Sequence, residues 1–385
     1  IEQSAKALSR SEARVHWSGH VGASLPISAI AVADQVPGHH VFVLRDKEEA
    51  AYFLNDIQGL YPDEKRVLFY PASYRVPYQF EELDNANVVA RAEVLERVAG
   101  GANTWIITYP GALFEKVPTV KKLIENSMRA DVGKNYSIDF MNELLLDFHF
   151  ERVDFVYEPG QFSIRGGIVD VFSYANDFPF RIEFFGDEAE SIRTFDAASQ
   201  LSLSTHKFFM ILPNIQGHMT QEGVASFFDF LGPSKHIWLS SYERTSAILQ
   251  QEYDKAVLAH SQLSGTVNFA LPSELYFHPD AFKKALEHLP IVELGPDYYF
   301  KKADKFTFDF LPQPSFNKNF DLLKTDLLAR QNSGMENLIF SNQPKQIERL
   351  FQIFEDIGGG VTCSPMHFAI SEGFIAPNLK LVCYT

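Results

Sequence analysis

Cysteine and positive charge are both scarce in this chain of 385 residues. Cys363 and Cys383 are the only cysteines, and two thiols cannot build a disulfide framework or a four-ligand zinc site. Lys and Arg number 34 against 49 Asp and Glu, a net charge of −15 at pH 7. Because that sign opposes nonspecific contact with phosphate backbones, nucleic acid is not the default partner. No metal site is predicted.

Long apolar runs are missing too, since none approaches the roughly 20 residues that a membrane-spanning helix requires. We therefore expect no membrane partner and a reducing, cytoplasmic location. Hydrophobic residues at 46% and charged residues at 22% are typical of globular domains. At roughly 100–200 residues per domain, the length predicts two to four domains.

Residues 1–125 alternate between continuously apolar runs and helical patterns. Strands are predicted at 41–44, 67–70 and 105–109, and helices at 47–57, at 86–99 and from the end of the third strand to about residue 128. Asp46, with Glu49 three residues later, has the pattern of a helix N-cap. Apolar strands separated by helices predict a parallel sheet covered on both faces.

The pattern changes near residue 130. After a predicted helix at 139–148, strands 162–165 and 168–172 flank Gly166-Gly167, which predicts a tight hairpin. Residues 180–185 alternate apolar and charged side chains before a turn at Gly186-Asp187. A small antiparallel α+β domain is therefore predicted inside a larger α/β layer, which resumes after residue 209.

The segment 17–26 has the outline of a phosphate-binding loop that begins a helix, and residues 237–239 form an apolar strand where a nucleotide hydrolase would end in Asp-Glu. A working loop needs a Lys for the phosphates and a Ser or Thr for the metal. Both requirements fail here, so a plain turn before a helix is favoured, with no catalytic residue and no cofactor. The degenerate positions are Gly19, Gly22, Ser24, Leu25 and Pro26 in the loop, and Ser240 and Ser241 after the strand.

Two sets of side chains that could bind a metal are better explained structurally. One set of histidines lies beside glycine turns or Pro37-Gly38, which favours loop positions, and one set of carboxylates precedes a helix, where negative charge is stabilising. The sets are His16, His20, His39 and His40, and Glu81, Glu82 and Asp84.

Two segments carry a resemblance to a known family. Residues 157–172 (YEPGQFSIRGGIVDVF) and 181–196 (RIEFFGDEAESIRTFD) closely resemble the second domain shared by the excision-repair helicase UvrB and the N-terminal region of bacterial transcription-repair coupling factors (Mfd). The missing Lys and acids, and a short stretch between residue 77 and the helix near residue 91, where UvrB has its DNA-clamping hairpin, favour the coupling factors.

The resemblance implies a fold class and a division of the chain. A degenerate RecA-like, P-loop-like parallel sheet domain (domain 1A, 1–126, and domain 1B, 209–320) would be split by antiparallel domain 2 (127–208). Residues 321–385 would begin a further α/β domain 3. Residues 379–384 have a strand pattern with no cap or turn after it, so we expect a fragment of a longer protein whose polymerase-binding domain and translocase motor lie beyond Thr385.

The resemblance also implies a partner, because in that family the second domain binds the damage sensor UvrA. By the same resemblance, the full-length protein would cover this surface with its own C-terminal domain, and would reach RNA polymerase and DNA only through domains outside this chain. By position, the binding residues would be Arg165 at the hairpin tip and Arg181, Glu183 and Phe185 on the next strand. Residues 181, 183 and 185 are alternate positions on a strand and therefore share a face. The alternative to a binding site is that Arg181 and Glu183 form an ordinary solvated face while Phe185 lies in the core.

The first hypothesis is thus a non-catalytic module that recruits UvrA. The alternative is an ATP- and DNA-binding fragment of a UvrB-type excision-repair helicase. A third possibility is DNA binding through Lys301, Lys302 and Lys305, which would be salt-sensitive.

Overall fold

The structure, a computed structural model, describes residues 1–73, 77–78, 85–125, 127–173, 178–211, 223–263 and 270–385. The acidic cluster Glu81, Glu82 and Asp84 lies outside these residues. No helix in the described part of the chain is both long and apolar enough to cross a bilayer.

The first segment alternates helices and strands. The Asp46 carboxylate accepts a hydrogen bond from the Glu49 amide at 2.9 Å and caps the third helix, as predicted. The elements are α1 Glu2–Leu8, β1 Arg14–Ser18, α2 Ser24–Ala33, β2 His39–Val43, α3 Lys47–Leu60, β3 Val67–Tyr70, α4 Asn85–Ala99, β4 Trp105–Thr108, α5 Pro110–Leu113, β5 Val117–Pro118 and α6 Val120–Glu125. The strand predicted at 105–109 is β4, and the helical stretch predicted after it is divided by β5 into the short helices α5 and α6.

The second segment is the antiparallel insert. Its elements are β6 Met128–Asp131, α7 Ile138–Asp147, β7 Glu151–Arg152, β8 Gln161–Arg165, β9 Ile168–Val171, β10 Phe180–Phe185, β11 Glu188–Phe195, β12 Ser202–His206 and β13 Phe208–Ile211. Strands β7 to β12 form a sheet in sequential order, antiparallel except for β7 with β8. The β8–β9 hairpin is the one predicted, with Gly166 at φ +59° in its turn. One face of the sheet packs on α7 through side chains that include Met141, Leu145, Phe162, Val169 and Ile182.

The third segment returns to the first sheet. Its elements are β14 Val224–Ala225, α8 Phe227–Phe230, β15 Lys235–Leu239, α9 Tyr242–Gln262, α10 Pro272–Leu275, α11 Asp280–Leu286, β16 Ile291–Leu294 and β17 Asp304–Thr307. Strand β14 pairs antiparallel with β5. The two chain segments that lead into and out of the insert are therefore held side by side.

The large sheet has seven parallel strands in the order β17-β1-β16-β15-β2-β4-β3. Both faces are covered, because Val41 and Val43 of β2 belong to one apolar cluster and Phe42 to another. The predicted α/β class, a parallel sheet domain with a smaller antiparallel sheet inserted in it, is confirmed.

The last segment forms a separate five-stranded sheet in the order β18-β21-β22-β19-β20. Its elements are β18 Leu311–Pro312, α12 Phe320–Asn332, β19 Glu336–Phe340, α13 Pro344–Asp356, β20 Ser364–Met366, β21 Phe374–Ala376, a 3-10 turn Pro377–Leu379 and β22 Leu381–Tyr384. The final predicted strand pairs with both β19 and β21.

The loop prediction is wrong for three of the four histidines. His16 lies in β1, and His39 and His40 lie in β2; all three are buried. Main-chain carbonyl oxygens satisfy two of the rings, because His16 Nε2 lies 2.9 Å from the Gly295 oxygen and His40 Nε2 lies 2.8 Å from the Val36 oxygen. Burial lowers the pKa of His40 to about 3. In the described residues no three His, Cys, Asp or Glu side chains are grouped as metal ligands.

Candidate protein-interaction site

The outer face of the insert sheet carries the four residues singled out from the sequence. Along β10 the core-facing positions are occupied by Phe180 and Ile182, both buried. Arg181, Glu183 and Phe185 alternate with them and point to the opposite face, and Phe185 is 80% exposed. The core position considered for Phe185 is therefore wrong. The alternation survives to the end of β10 because β11 absorbs a register shift opposite Glu183 and Phe184.

Arg165 stands at the last position of β8, next to the hairpin turn. Its Nη1 donates to the Asp154 main-chain oxygen at 3.2 Å, and its guanidinium lies 4.5 Å from the ring centre of Phe155. Phe155 is 48% exposed. A cation over an aromatic face is a stabilising contact, so Arg165 and Phe155 present a charged and an apolar group together. Sequence reasoning missed Phe155, whose only signal was an aromatic residue just before the recognised segment.

Asp170 is the second residue that sequence reasoning missed, and it links the two arginines. Its side chain is 0% exposed. Arg181 donates to it through Nε at 2.7 Å and Nη2 at 2.9 Å, and Arg165 donates through Nη2 at 2.5 Å. The hydrogen bonds to Asp170 raise the pKa of Arg181 above its ordinary value, against the opposing effect of burial. The signal was a single carboxylate between two valines in the middle of β9.

Glu183 is paired within the same face. It accepts a hydrogen bond from the Ser191 hydroxyl at 2.9 Å and forms an ion pair with Arg193. Three arginines, 165, 181 and 193, thus stand with two carboxylates, Asp170 and Glu183, on a chain whose net charge is −15. Guanidinium groups beside exposed aromatic rings are suited to binding a protein partner that presents carboxylates or carbonyl oxygens.

The segment 19–26, predicted from the sequence to be a degenerate nucleotide loop, has main-chain amides that are bonded to the protein itself. The Ala23 amide donates to the Glu372 carbonyl oxygen at 3.0 Å, and the amides of Ser24 and Leu25 donate to loop carbonyls at 3.2 and 3.3 Å. Gly22 has φ +53°, and a Cβ there would lie 2.7 Å from the Glu372 oxygen. The last segment of the chain therefore occupies the place where a phosphate-binding loop would present its amides to a phosphate.

The replaced side chains of the loop have structural positions. Leu25 packs on the apolar cluster of the large sheet, and Pro26 is buried in the first turn of α2, where a missing N–H costs nothing. The ring of His20 lies 5.0 Å from that of Trp17 and 4.1 Å from that of Phe308. Burial lowers the pKa of His20 to about 3, and its Nε2 has no partner within the described chain.

The serines at the position of the Asp-Glu pair are also explained locally. The Ser240 amide donates to the Val43 oxygen at 3.0 Å and continues the β15–β2 ladder. The Ser241 hydroxyl accepts from the Arg244 amide at 3.2 Å and caps α9. Ser241 is therefore an ordinary helix N-cap.

Part of the chain is similar to known proteins. Residues 128–216 match the family described as UvrB interaction domain. The chain is 27% identical over 188 residues to the transcription-repair-coupling factor of Bacillus subtilis, covering 49% of this chain and 16% of that protein. It is 33% identical over 158 residues to the factor of Myxococcus xanthus, covering 41% of this chain and 13% of that one. It is 30% identical over 134 residues to UvrABC system protein B of Streptococcus uberis, covering 34% and 20%.

The chain is thus an α/β protein whose inserted antiparallel sheet lies in the region that matches the UvrB interaction domain. The resemblance predicted from the sequence is confirmed: the chain contains a region like that of UvrB and the transcription-repair-coupling factors. The matched stretches span between 13% and 20% of these relatives' own lengths.

Proposed function

We propose that the chain is a non-catalytic module of a transcription-repair coupling factor, and that it recruits the excision-repair protein UvrA to lesions that stall RNA polymerase. The observation that supports this proposal is the outer face of an insert that matches the UvrB interaction domain, with Arg165, Arg181, Glu183 and Phe185 projecting together. Paired guanidinium groups beside an exposed aromatic ring have the composition of a protein-binding hot spot.

The test is the affinity of purified UvrA for the chain. Arg165→Ala combined with Arg181→Ala is expected to weaken binding at least thirtyfold, since truncation of a hot-spot arginine costs about 2 kcal/mol. Arg129→Ala is the matched control, because Arg129 is an exposed arginine of the same insert that is paired with Asp131 on β6. Undiminished binding by the double variant would overturn the assignment of the site.

We also propose that the chain does not bind ATP, against the alternative of a UvrB-type helicase fragment. Two observations support this: the missing lysine at Leu25, and the hydrogen bond from the Ala23 amide to Glu372. A nucleotide present at 100 times its Kd would stabilise the fold by about 2.7 kcal/mol. We expect no rise in unfolding temperature with Mg-ATP, and a rise that saturates with concentration would restore the alternative.

The remaining expectations from the resemblance belong to the same proposal. The boundaries would fall near residues 126, 208 and 320, in a cytoplasmic protein. The full-length protein would cover the outer face of the insert with its C-terminal domain, and it would contact RNA polymerase and DNA, and translocate at the expense of ATP, through domains outside this chain. Addition of that C-terminal domain in trans is expected to compete with UvrA for the chain.

A further inference from the structure

We propose that Asp170 is a positioning residue for partner binding: it holds the guanidinium groups of Arg165 and Arg181 in the arrangement that meets the partner. This inference rests on the proposed function, and it concerns a residue that would touch no partner. The geometry of the carboxylate carries it.

Asp170 lies at the centre of the outer face. In the register of the sheet it is opposite Arg181 on one side and Ser163 on the other. Its Oδ1 accepts from Arg181 Nε, and its Oδ2 accepts from both Arg181 Nη2 and Arg165 Nη2. With a side-chain exposure of 0%, the carboxylate is closed to solvent and to any partner.

The bonds to Asp170 also determine which N–H groups remain available. The Nη2 of Arg181 donates to Gln200 Oε1 as well, at 3.0 Å, and its guanidinium lies 4.3 Å from the ring centre of Phe195. Its Nη1 is the amino group with no acceptor in the described chain. The side chain of Arg181 is only 15% exposed, so the orientation of its guanidinium group is fixed before a partner binds. Such preorganisation reduces the entropy lost on binding.

The plainer explanation is that the triad only stabilises the sheet. A buried carboxylate between two arginines can be a structural network with no further role. The two explanations differ in one respect: a positioning residue acts on binding through the arginines, whereas a structural residue weakens the whole face equally.

A pair of double-mutant cycles separates the two explanations. UvrA affinity is measured for Asp170→Asn alone, with Arg181→Ala, and with Phe185→Ala. We expect Asp170→Asn alone to weaken binding about tenfold. In the Arg181→Ala background, Asp170→Asn should weaken binding threefold or less, because only its effect through Arg165 remains. In the Phe185→Ala background it should still weaken binding tenfold, on top of the loss caused by Phe185→Ala itself.

Three outcomes would overturn the inference. The first is that Asp170→Asn binds UvrA as tightly as the unchanged chain. The second is that Asp170→Asn causes the same loss of affinity in the Arg181→Ala and Phe185→Ala backgrounds. The third is that it causes the same loss in the Arg181→Ala background as in the unchanged chain. If Asp170→Asn does not fold by circular dichroism, Gln200→Ala replaces it, because it removes the other acceptor of Arg181 Nη2. Gln200→Ala should cause a smaller loss of UvrA affinity, and that loss should vanish in the Arg181→Ala background. A loss that persists in that background would overturn the inference.

A measurement without UvrA keeps the two proposals distinguishable. The Nε–H of Arg181 should give a slowly exchanging NMR resonance that is lost in Asp170→Asn. If the unchanged chain does not bind UvrA, the proposed function fails, while a resonance that persists in the variant would separately overturn the positioning role.

Discussion

Phe155 and Phe140 are two phenylalanines of the insert with similar exposure and different surroundings. Phe155 is 48% exposed and contacts Arg165, whereas Phe140 is 45% exposed on α7, the helix that covers the inner face of the sheet. Phe155→Ala is expected to weaken UvrA binding about tenfold, because aromatic anchors dominate hot spots. Phe140→Ala should leave the affinity unchanged. Equal losses in a binding titration would contradict a site on the outer face.

His20 gives the chain a pH-dependent stability. Burial among aromatic rings lowers its pKa from 6.5 to about 3. Between these two pH values the imidazole is protonated in the unfolded chain and neutral in the folded chain. The free energy of unfolding therefore falls as the pH drops from about 6.5 toward 3.

His20→Phe should reduce that decline, because Phe fits an aromatic site and does not titrate. The difference between the variant and the unchanged chain should reach at most about 2 kcal/mol between pH 6.5 and 5. Urea unfolding at three pH values measures it. Identical pH slopes would contradict the burial of a neutral ring.

Asp170 shows why part of the site was hidden from the sequence. The family resemblance selected the four outward residues, and alternation along a strand, which is a local property, predicted that the three on β10 share a face. A carboxylate between two valines has no local signal of burial, since only the pairing of β9 with β10 places it beside Arg181. Distant partners likewise accommodate two buried histidines: His16 Nε2 lies 2.9 Å from the Gly295 oxygen, and Trp238 Nε1 donates to His40 Nδ1 at 3.1 Å.

Elements with local signals were predicted well, and those that depend on distant contacts were not. The Asp46-capped helix and the Gly166-Gly167 hairpin are specified by their own residues. Strand β1 was not predicted, because Arg14, His16 and Ser18 interrupt its apolar pattern. It becomes a central strand only through pairing with β16 and β17, more than 270 residues later in the chain.

The turn at Gly19 offers a test of how closely Phe308, the residue that follows β17, approaches the loop. Gly19 and Gly133 have nearly equal φ values of +82° and +80°, but a Cβ would lie 1.9 Å from the Phe308 oxygen at Gly19 and meet nothing within 4 Å at Gly133. Substitution by Ala costs both sites about 1–2 kcal/mol of backbone strain. Gly19→Ala should cost at least about 2 kcal/mol more, from overpacking. Equal urea midpoints for the two variants would contradict the close approach.

At the scale of the molecule, the insert has an apolar core of its own. The cluster that includes Met141, Phe162 and Ile182 is separate from the two clusters of the large sheet. A fragment of residues 127–211 is therefore expected to fold and to bind UvrA within about threefold of the full chain. Its urea unfolding should be cooperative, and Met141→Ala should lower its stability by about 2–5 kcal/mol. A fragment without a cooperative transition would show that the insert depends on its host.

The bond between the Ala23 amide and the Glu372 oxygen also bears on how such a chain could change over evolutionary time. Replacing Leu25 by Lys and Pro26 by Thr would supply, in two steps, the charge and the hydroxyl that a nucleotide loop requires. Neither replacement moves the Glu372 carbonyl, which is main chain and cannot be altered by changing a side chain. A nucleotide loop could therefore form at this position only if the last segment also moved away, so architecture as well as sequence opposes nucleotide binding there.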